Sequence, residues 1–175
     1  MRVLFAGGGT GGHINPAISI ADYAAKQDKD FKALFVGTKS GLETKLVPKA
    51  GYDIEYIEIQ GFDRKHIFRN FETVKKLISA RRKCNKIIKE FKPDCIVCTG
   101  GYVSGPVLRE AHKLGFKTAI HEQNAFPGVT TKMLANRVDR VMLAMPEAKK
   151  YLKLKNEPVI TGNPVRGELM RITRE

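Results

Sequence analysis

Five glycines in six positions, Gly7-Gly8-Gly9-Thr10-Gly11-Gly12, directly follow the apolar run 2–6 and lead into His13. Glycine weakens a helix or strand interior by roughly 0.5–1 kcal/mol per residue and opens positive-φ backbone. The segment is therefore a tight turn that lets another group approach the main chain closely. Asn15 and Pro16 then open a helical pattern over 17–26, with Pro near its first turn. Strand, glycine turn and helix together make a βα unit.

The alternation continues along the chain. Apolar runs fall at 33–36, 94–98, 117–120, 140–143 and 158–160, with an alternating run at 54–59. Helical stretches fall between them at 42–49, in a long basic region through Lys92 that Pro93 stops, at 106–114 and at 129–135. Strands this uniformly apolar are covered on both faces, which predicts a parallel sheet with helices on each side. The fold class is α/β, a doubly wound parallel sheet, and 175 residues suit one such domain. The domain is placed at 1–163; the charged, strand-free tail 164–175 reads as the start of a linker. In this architecture ligands bind beyond the carboxyl ends of the strands. Segments 7–13, 99–106 and 121–128 fall at such ends and are expected to share one cleft.

The first loop satisfies G-x-G-x-x-G through Gly7, Gly9 and Gly12. Exposed backbone N–H groups at a helix start form an anion site, so a pyrophosphate ligand is reasonable. A dinucleotide would also want an acid after the second strand, where the chain has Gly37-Thr38-Lys39-Ser40. That weakens NAD and leaves NADP as the alternative, with Lys39 and Ser40 toward a 2′-phosphate. Thr99-Gly100-Gly101-Tyr102-Val103-Ser104-Gly105-Pro106 repeats the strand–glycine–helix device, and His121-Glu122-Gln123-Asn124 puts four polar groups at a third strand end. His13 has two open readings. A helix N-terminus favours the neutral imidazole, which suits a general base; equally, the ring positions a phosphate or a carbonyl.

Charge and cysteines narrow the remaining classes. The formal net charge is +13, which calls for an anionic partner: nucleic acid, membrane surface or phosphorylated ligand. No zinc finger or RNP-type aromatic motif accompanies it, so nucleic acid is not taken as a partner. The N-terminal apolar stretch is too short for a secretory signal, and no run is long enough to span a bilayer; a cytosolic protein is expected. Cys95 and Cys98 have redox spacing but lie in a strand, where i and i+3 point to opposite faces. No metal site and no cofactor is expected.

Four motifs in series carry a specific resemblance: Gly8-Gly9-Thr10-Gly11-Gly12-His13 with Asn15-Pro16, Gly100-Gly101-Tyr102-Val103-Ser104-Gly105-Pro106, His121-Glu122-Gln123-Asn124, and Gly162-Asn163-Pro164-Val165-Arg166. Together they resemble the MurG family, which transfers N-acetylglucosamine to undecaprenyl-pyrophosphoryl-N-acetylmuramoyl-pentapeptide in peptidoglycan synthesis. The resemblance implies the N-terminal, acceptor-binding half of a GT-B glycosyltransferase, with Rossmann-like topology. The C-terminal donor-binding half has no counterpart in the chain, which implies an excised domain or, alternatively, the acceptor subunit of a two-chain enzyme. Little or no activity is expected of the chain alone.

On the matching positions, the resemblance implies donor contacts from Thr10, Gly11, Gly12, Asn124 and Arg166 to UDP-N-acetylglucosamine. It implies acceptor or diphosphate contacts from Gly101, Tyr102, Ser104 and Gln123. His13 becomes the candidate base, and Glu122 a second candidate catalytic group. Direct attack by the acceptor hydroxyl would invert the anomeric carbon.

Between positions 64 and 92 stand eleven basic residues against two acids. Apolar residues recur there at helical spacing, which is also what a surface helix burying one stripe would show. Ile67, Phe68 and Phe71, flanked by bases, suit insertion at an anionic lipid surface together with Lys75, Lys76, Arg81 and Arg82. The family docks through this region, which implies peripheral attachment to the cytoplasmic face of the bacterial membrane.

Overall fold

The structure, a computed structural model, describes residues 1–59 and 70–165, with residues 70–72 described by backbone alone. Among the described residues seven strands form one sheet: β1 (Arg2–Gly7), β2 (Lys32–Gly37), β3 (Asp53–Tyr56), β4 (Cys95–Gly100), β5 (Lys117–Glu122), β6 (Arg140–Leu143) and β7 (Val159–Ile160). Their order is β3-β2-β1-β4-β5-β6-β7, and every pairing is parallel. The helices between them are α1 (Gly11–Gln27), α2 (Glu43–Lys49), α3 (Asn70–Phe91), α4 (Ser104–Lys113) and α5 (Val129–Leu134), with a 3-10 helix at Pro146–Tyr151.

Period-two alternation divides the strand side chains between two cores. Val3, Phe5, Phe35 and Val97 pack with Ile14, Ala17 and Ile18 of α1 and Val47 of α2. Leu4, Ala6, Ile96 and Cys98 pack with Cys84 and Ile88 of α3 and Val107 and Ala111 of α4. Phe5 stacks on Phe35 with ring centroids 5.0 Å apart. Each such fully buried ring is worth roughly 1.5–3 kcal/mol of transfer free energy. Cys95 lies against the first of these cores and Cys98 in the second, as expected of i and i+3 on a strand. Burial pushes the Cys84 thiol up to about 12 and raises Cys98 further, so both stay protonated.

The doubly wound parallel sheet matches the expectation, but several element boundaries differ. The first helix begins at Gly11, six residues before the predicted start, and carries Pro16 inside it. Thr10 O accepts from His13 N–H and Ile14 N–H at 3.2 Å each, and these bonds hold the glycine-rich first turn helical. His13 thus sits in the first turn of α1. The alternating run 54–59 forms only β3, Asp53–Tyr56, because β2 ends opposite Tyr56 at Gly37. The 3-10 helix was not foreseen: Ala148 is its one buried residue, so it carries no apolar repeat to read. Residues 64–69 of the expected basic helix lie outside the described residues.

The chain winds outward from β1 to β3, then returns to lay β4 on the opposite side of β1. The crevice between β1 and β4 is therefore the topological switch point. Both glycine loops leave the sheet there.

Candidate functional site

The first glycine loop is held from beneath by a side chain that sequence reasoning missed. Glu43, in the first turn of α2, is fully buried. Its Oε2 accepts from Gly9 N–H at 2.9 Å. Its Oε1 accepts from Thr38 N–H and from the Thr38 hydroxyl, both at 2.8 Å. A Cβ on Gly8, Gly37 or Gly41 would stand 2.7, 2.5 or 1.9 Å from Glu43 atoms. Three of the chain's glycines thus make room for one carboxylate. Only this clustering of glycines hints at it, since Gly9 and Glu43 are 34 residues apart.

The second loop closes on the first, backbone against backbone. Gly101 has φ +81, and a Cβ there would lie 2.6 Å from Gly8 O. Gly100 has φ +114, and a Cβ there would lie 2.7 Å from His13 Cδ2 and 2.9 Å from Nε2. The imidazole therefore rests against the second loop, while its Nδ1 is 3.1 Å from Gly8 O. Thr10, Gly12 and Tyr102 are exposed around it, Tyr102 at 65%. Ser104 differs from expectation. It is fully buried, and its hydroxyl donates to Gly100 O at 2.9 Å, with Ala6 O at 3.3 Å. Its role here is to pin the second loop to β1.

The third segment is also braced from within. Glu122 is buried. Its Oε1 accepts from Asn124 N–H at 3.1 Å and Nδ2 at 3.0 Å, and its Oε2 from Gly128 N–H at 3.1 Å. The carboxylate fixes the Asn124 amide through Nδ2. Gln123 Nε2 donates to His121 O at 3.0 Å and meets His121 Nδ1 at 3.0 Å, while Gln123 O accepts from Asn163 Nδ2 at 3.3 Å. Glu122 and Gln123 thus shape the loop, and Asn124 is the exposed member of the tetrad.

His121 Nε2 donates to Gly162 O at 3.1 Å, tying β5 to the segment that leaves the sheet. Burial lowers its pKa, against the opposing effects of the Gly162 bond and Glu122. Below about pH 6.5 the unfolded chain binds a proton that the folded imidazole resists. His121 therefore contributes stability that is complete above that pH and lost as pH falls below it. Thermal midpoints recorded from about pH 8 to about pH 5 should decline on the acid side. His121→Gln should flatten that decline, even if it lowers the plateau.

The basic helix is partly committed to the fold. Arg81 Nε meets Glu110 at 2.7 Å and Asn85 Nδ2 meets it at 3.2 Å. Burial alone would raise the Glu110 pKa, but the bonds from Asn85 and Arg81 outweigh it and the carboxyl is lowered. Arg81 is thus an internal ion-pair partner rather than an outward-reaching base. Lys75 and Arg82 are exposed and Lys76 is half-buried. Val74 and Ile78 are 43% and 46% exposed; at i and i+4 they share one helix face. Ile67, Phe68 and Arg166 lie outside the described residues, as does the Phe71 side chain. Beside Tyr102, a cavity of about 390 Å³ opens between α3, α4 and α5, bordered by Leu77, Pro106, Leu108, Met133, Arg109 and Arg137.

Among the described residues no group of three or more His, Cys, Asp or Glu is arranged to hold a metal ion. No described helix is long and apolar enough to cross a membrane.

Residues 3–143 match the glycosyltransferase family 28 N-terminal domain. A relative from Alkaliphilus metalliredigens, named UDP-N-acetylglucosamine--N-acetylmuramyl-(pentapeptide) pyrophosphoryl-undecaprenol N-acetylglucosamine transferase, is 49% identical over all of the chain and 48% of its own length. One of the same name from a Thermoanaerobacter species is 50% identical over the same shares. The chain spans about half the length of the curated relatives it matches. Among solved structures, MurG from Acinetobacter baumannii aligns with TM-score 0.79 and 30% identity, over 93% of this chain and 46% of that one. A Neisseria meningitidis UDP-GlcNAc 2-epimerase aligns at TM-score 0.66 with 13% identity, over 97% of this chain and 49% of that one, which is a likeness of fold alone.

Proposed function

The chain belongs to glycosyltransferase family 28, and from that premise we propose that it is the acceptor-binding half of an inverting N-acetylglucosaminyltransferase. Its substrates on this reading are UDP-N-acetylglucosamine and undecaprenyl-pyrophosphoryl-N-acetylmuramoyl-pentapeptide. Residues 1–163 form the acceptor domain, 164–175 begin a linker, and a donor-binding half completes the enzyme. The observation that carries the reading is the convergence of both glycine loops on the His13 ring at the switch point.

The chemistry follows from that placement. His13 takes the proton of the attacking acceptor hydroxyl through Nε2, the nitrogen on the second-loop side. Gly11 and Gly12 lie in the first turn of α1, where N–H groups have no intrahelical acceptor and a diphosphate is favoured. Those donors and Arg166 stabilise the leaving nucleoside diphosphate, and Asn124 Oδ1 accepts from the donor. Tyr102 marks the acceptor side, and the adjoining apolar cavity with Arg109 and Arg137 at its border suits a lipid-linked pyrophosphate. Docking is peripheral, through the α3 face that shows Val74, Ile78, Lys75 and Arg82, with Lys76 beside it and with Ile67, Phe68 and Phe71 as the apolar residues that the sequence supplies.

The test is a titration of the chain with a lipid-linked acceptor analogue in anionic and in neutral vesicles, with NADPH in parallel. Saturable acceptor binding, tighter on anionic vesicles and weakened about tenfold or more by Tyr102→Ala, supports the reading. Equal weak binding to both vesicles removes membrane docking. NADPH binding without acceptor binding replaces the transferase reading with a dinucleotide domain.

A further inference from the structure

Glu43 is a fully buried carboxylate beneath the site, and the role assigned to the glycine loops does not explain why it is an acid. Burying a carboxylate costs several kcal/mol unless hydrogen bonds replace its hydration. Three neutral donors do so here: Gly9 N–H, Thr38 N–H and the Thr38 hydroxyl. A glutamine of the same shape would offer one accepting oxygen, and its NH2 would face an N–H donor on the other side. The arrangement demands an acceptor at both oxygens.

The peptide that Glu43 holds is the one His13 uses. The Gly9 N–H bonded to Glu43 and the Gly8 carbonyl near His13 Nδ1 belong to a single peptide unit. A carbonyl oxygen only accepts, so at 3.1 Å Nδ1 is the protonated nitrogen. Thr10 Oγ1, 3.4 Å from the same nitrogen, shares that hydrogen at longer range. Hydrogen bonds in series polarise one another. A negative charge on the N–H side of the Gly8–Gly9 peptide makes its carbonyl a stronger acceptor for Nδ1–H. The second loop packs on the same unit, through the approach of Gly101 to Gly8 O and Gly8 C.

We propose that Glu43 is a positioning residue that acts through the Gly8–Gly9 peptide to hold His13 as the Nδ1–H tautomer, leaving the Nε2 lone pair free on the side of the second loop. In hydrolase triads a carboxylate orients an imidazole in this way by direct contact; here one peptide unit stands between them. The functional value of the arrangement rests on the reading of His13 as the base, but the tautomer itself does not.

The experiment is long-range 1H–15N correlation of the imidazoles in the 15N-labelled chain, above the pH range where histidine titrates. Four histidines are present, His13, His66, His112 and His121, and His13→Gln assigns the signal. Wild-type His13 should show the Nδ1–H pattern. Glu43→Gln should shift the tautomer ratio measurably toward Nε2–H, by up to about tenfold, the ceiling set by loss of one whole hydrogen bond, while His121 keeps its pattern as a control for folding. A wild-type His13 in the Nε2–H form overturns the proposal without any variant. A ratio in Glu43→Gln unchanged from wild type, or shifted toward Nδ1–H, also overturns it. Neither result bears on the base role, which is judged separately by turnover of His13→Ala.

Discussion

His13→Ala is expected to lower turnover by about 10²- to 10⁴-fold, the usual contribution of a positioned general base. The assay uses an enzyme assembled from this chain and the donor-binding half of a relative. The loss should fall on kcat, with acceptor binding changed less than about threefold, because a base acts only as the hydroxyl loses its proton. The geometry leads to this split. The ring is held by Gly8 O at Nδ1 and rests against Gly100 through Cδ2 and Nε2, so its removal leaves the backbone donors of Gly11 and Gly12 in place. A loss confined to acceptor affinity would make His13 a positioning group, the second reading that its sequence context leaves open.

Gly101→Ala should cause the largest loss of stability among the loop variants. Alanine at φ +81 costs about 1–3 kcal/mol in backbone strain. Its Cβ would also lie 2.6 Å from Gly8 O and 3.2 Å from Gly8 N. Gly8 O is held by His13 and the adjoining Gly9 N–H by Glu43, so relief requires moving the whole first loop. Overpacking of this kind costs about another 1–3 kcal/mol, and the combined effect is a drop of roughly 5–15 °C in the unfolding midpoint. Gly105→Ala is the matched control. It lies in α4, where an added Cβ meets nothing within 4 Å. Helix propensity there favours alanine by up to about 1 kcal/mol. Calorimetry on the two variants checks the contrast; equal midpoints would mean that the loops do not clamp each other as described.

Much of this protein is legible in its order of residues. The strand–glycine–helix rhythm determined the parallel α/β sheet, because runs such as 2–6 and 94–98 are too uniformly apolar for a sheet with one wet face. The same rhythm placed three polar segments at strand ends, and the sheet order seats β1, β4 and β5 side by side. The opposed faces of Cys95 and Cys98 followed from the two-residue strand period alone. These are local signals, fixed by backbone geometry within a few residues.

Other features were decided only by tertiary contact. The start of α1 at Gly11 depends on Thr10 O capturing two N–H groups, which overrides the weak helix propensity of glycine. Sequence patterning marks Ser104 and Glu122 as polar and near a loop. It does not show that their polar atoms point inward to Gly100 O and to Asn124 and Gly128. Arg81 looks like its basic neighbours until Glu110, 29 residues away, claims it. Glu43 is the clearest case: only Gly37 and Gly41 near it in the chain hint at a buried acid, and its meaning appears only when Gly8, Gly9, Thr38 and His13 close around one peptide. Periodicity reports which face of an element is apolar. A buried carboxylate is stable only where distant donors meet it, and the fold alone brings those donors together.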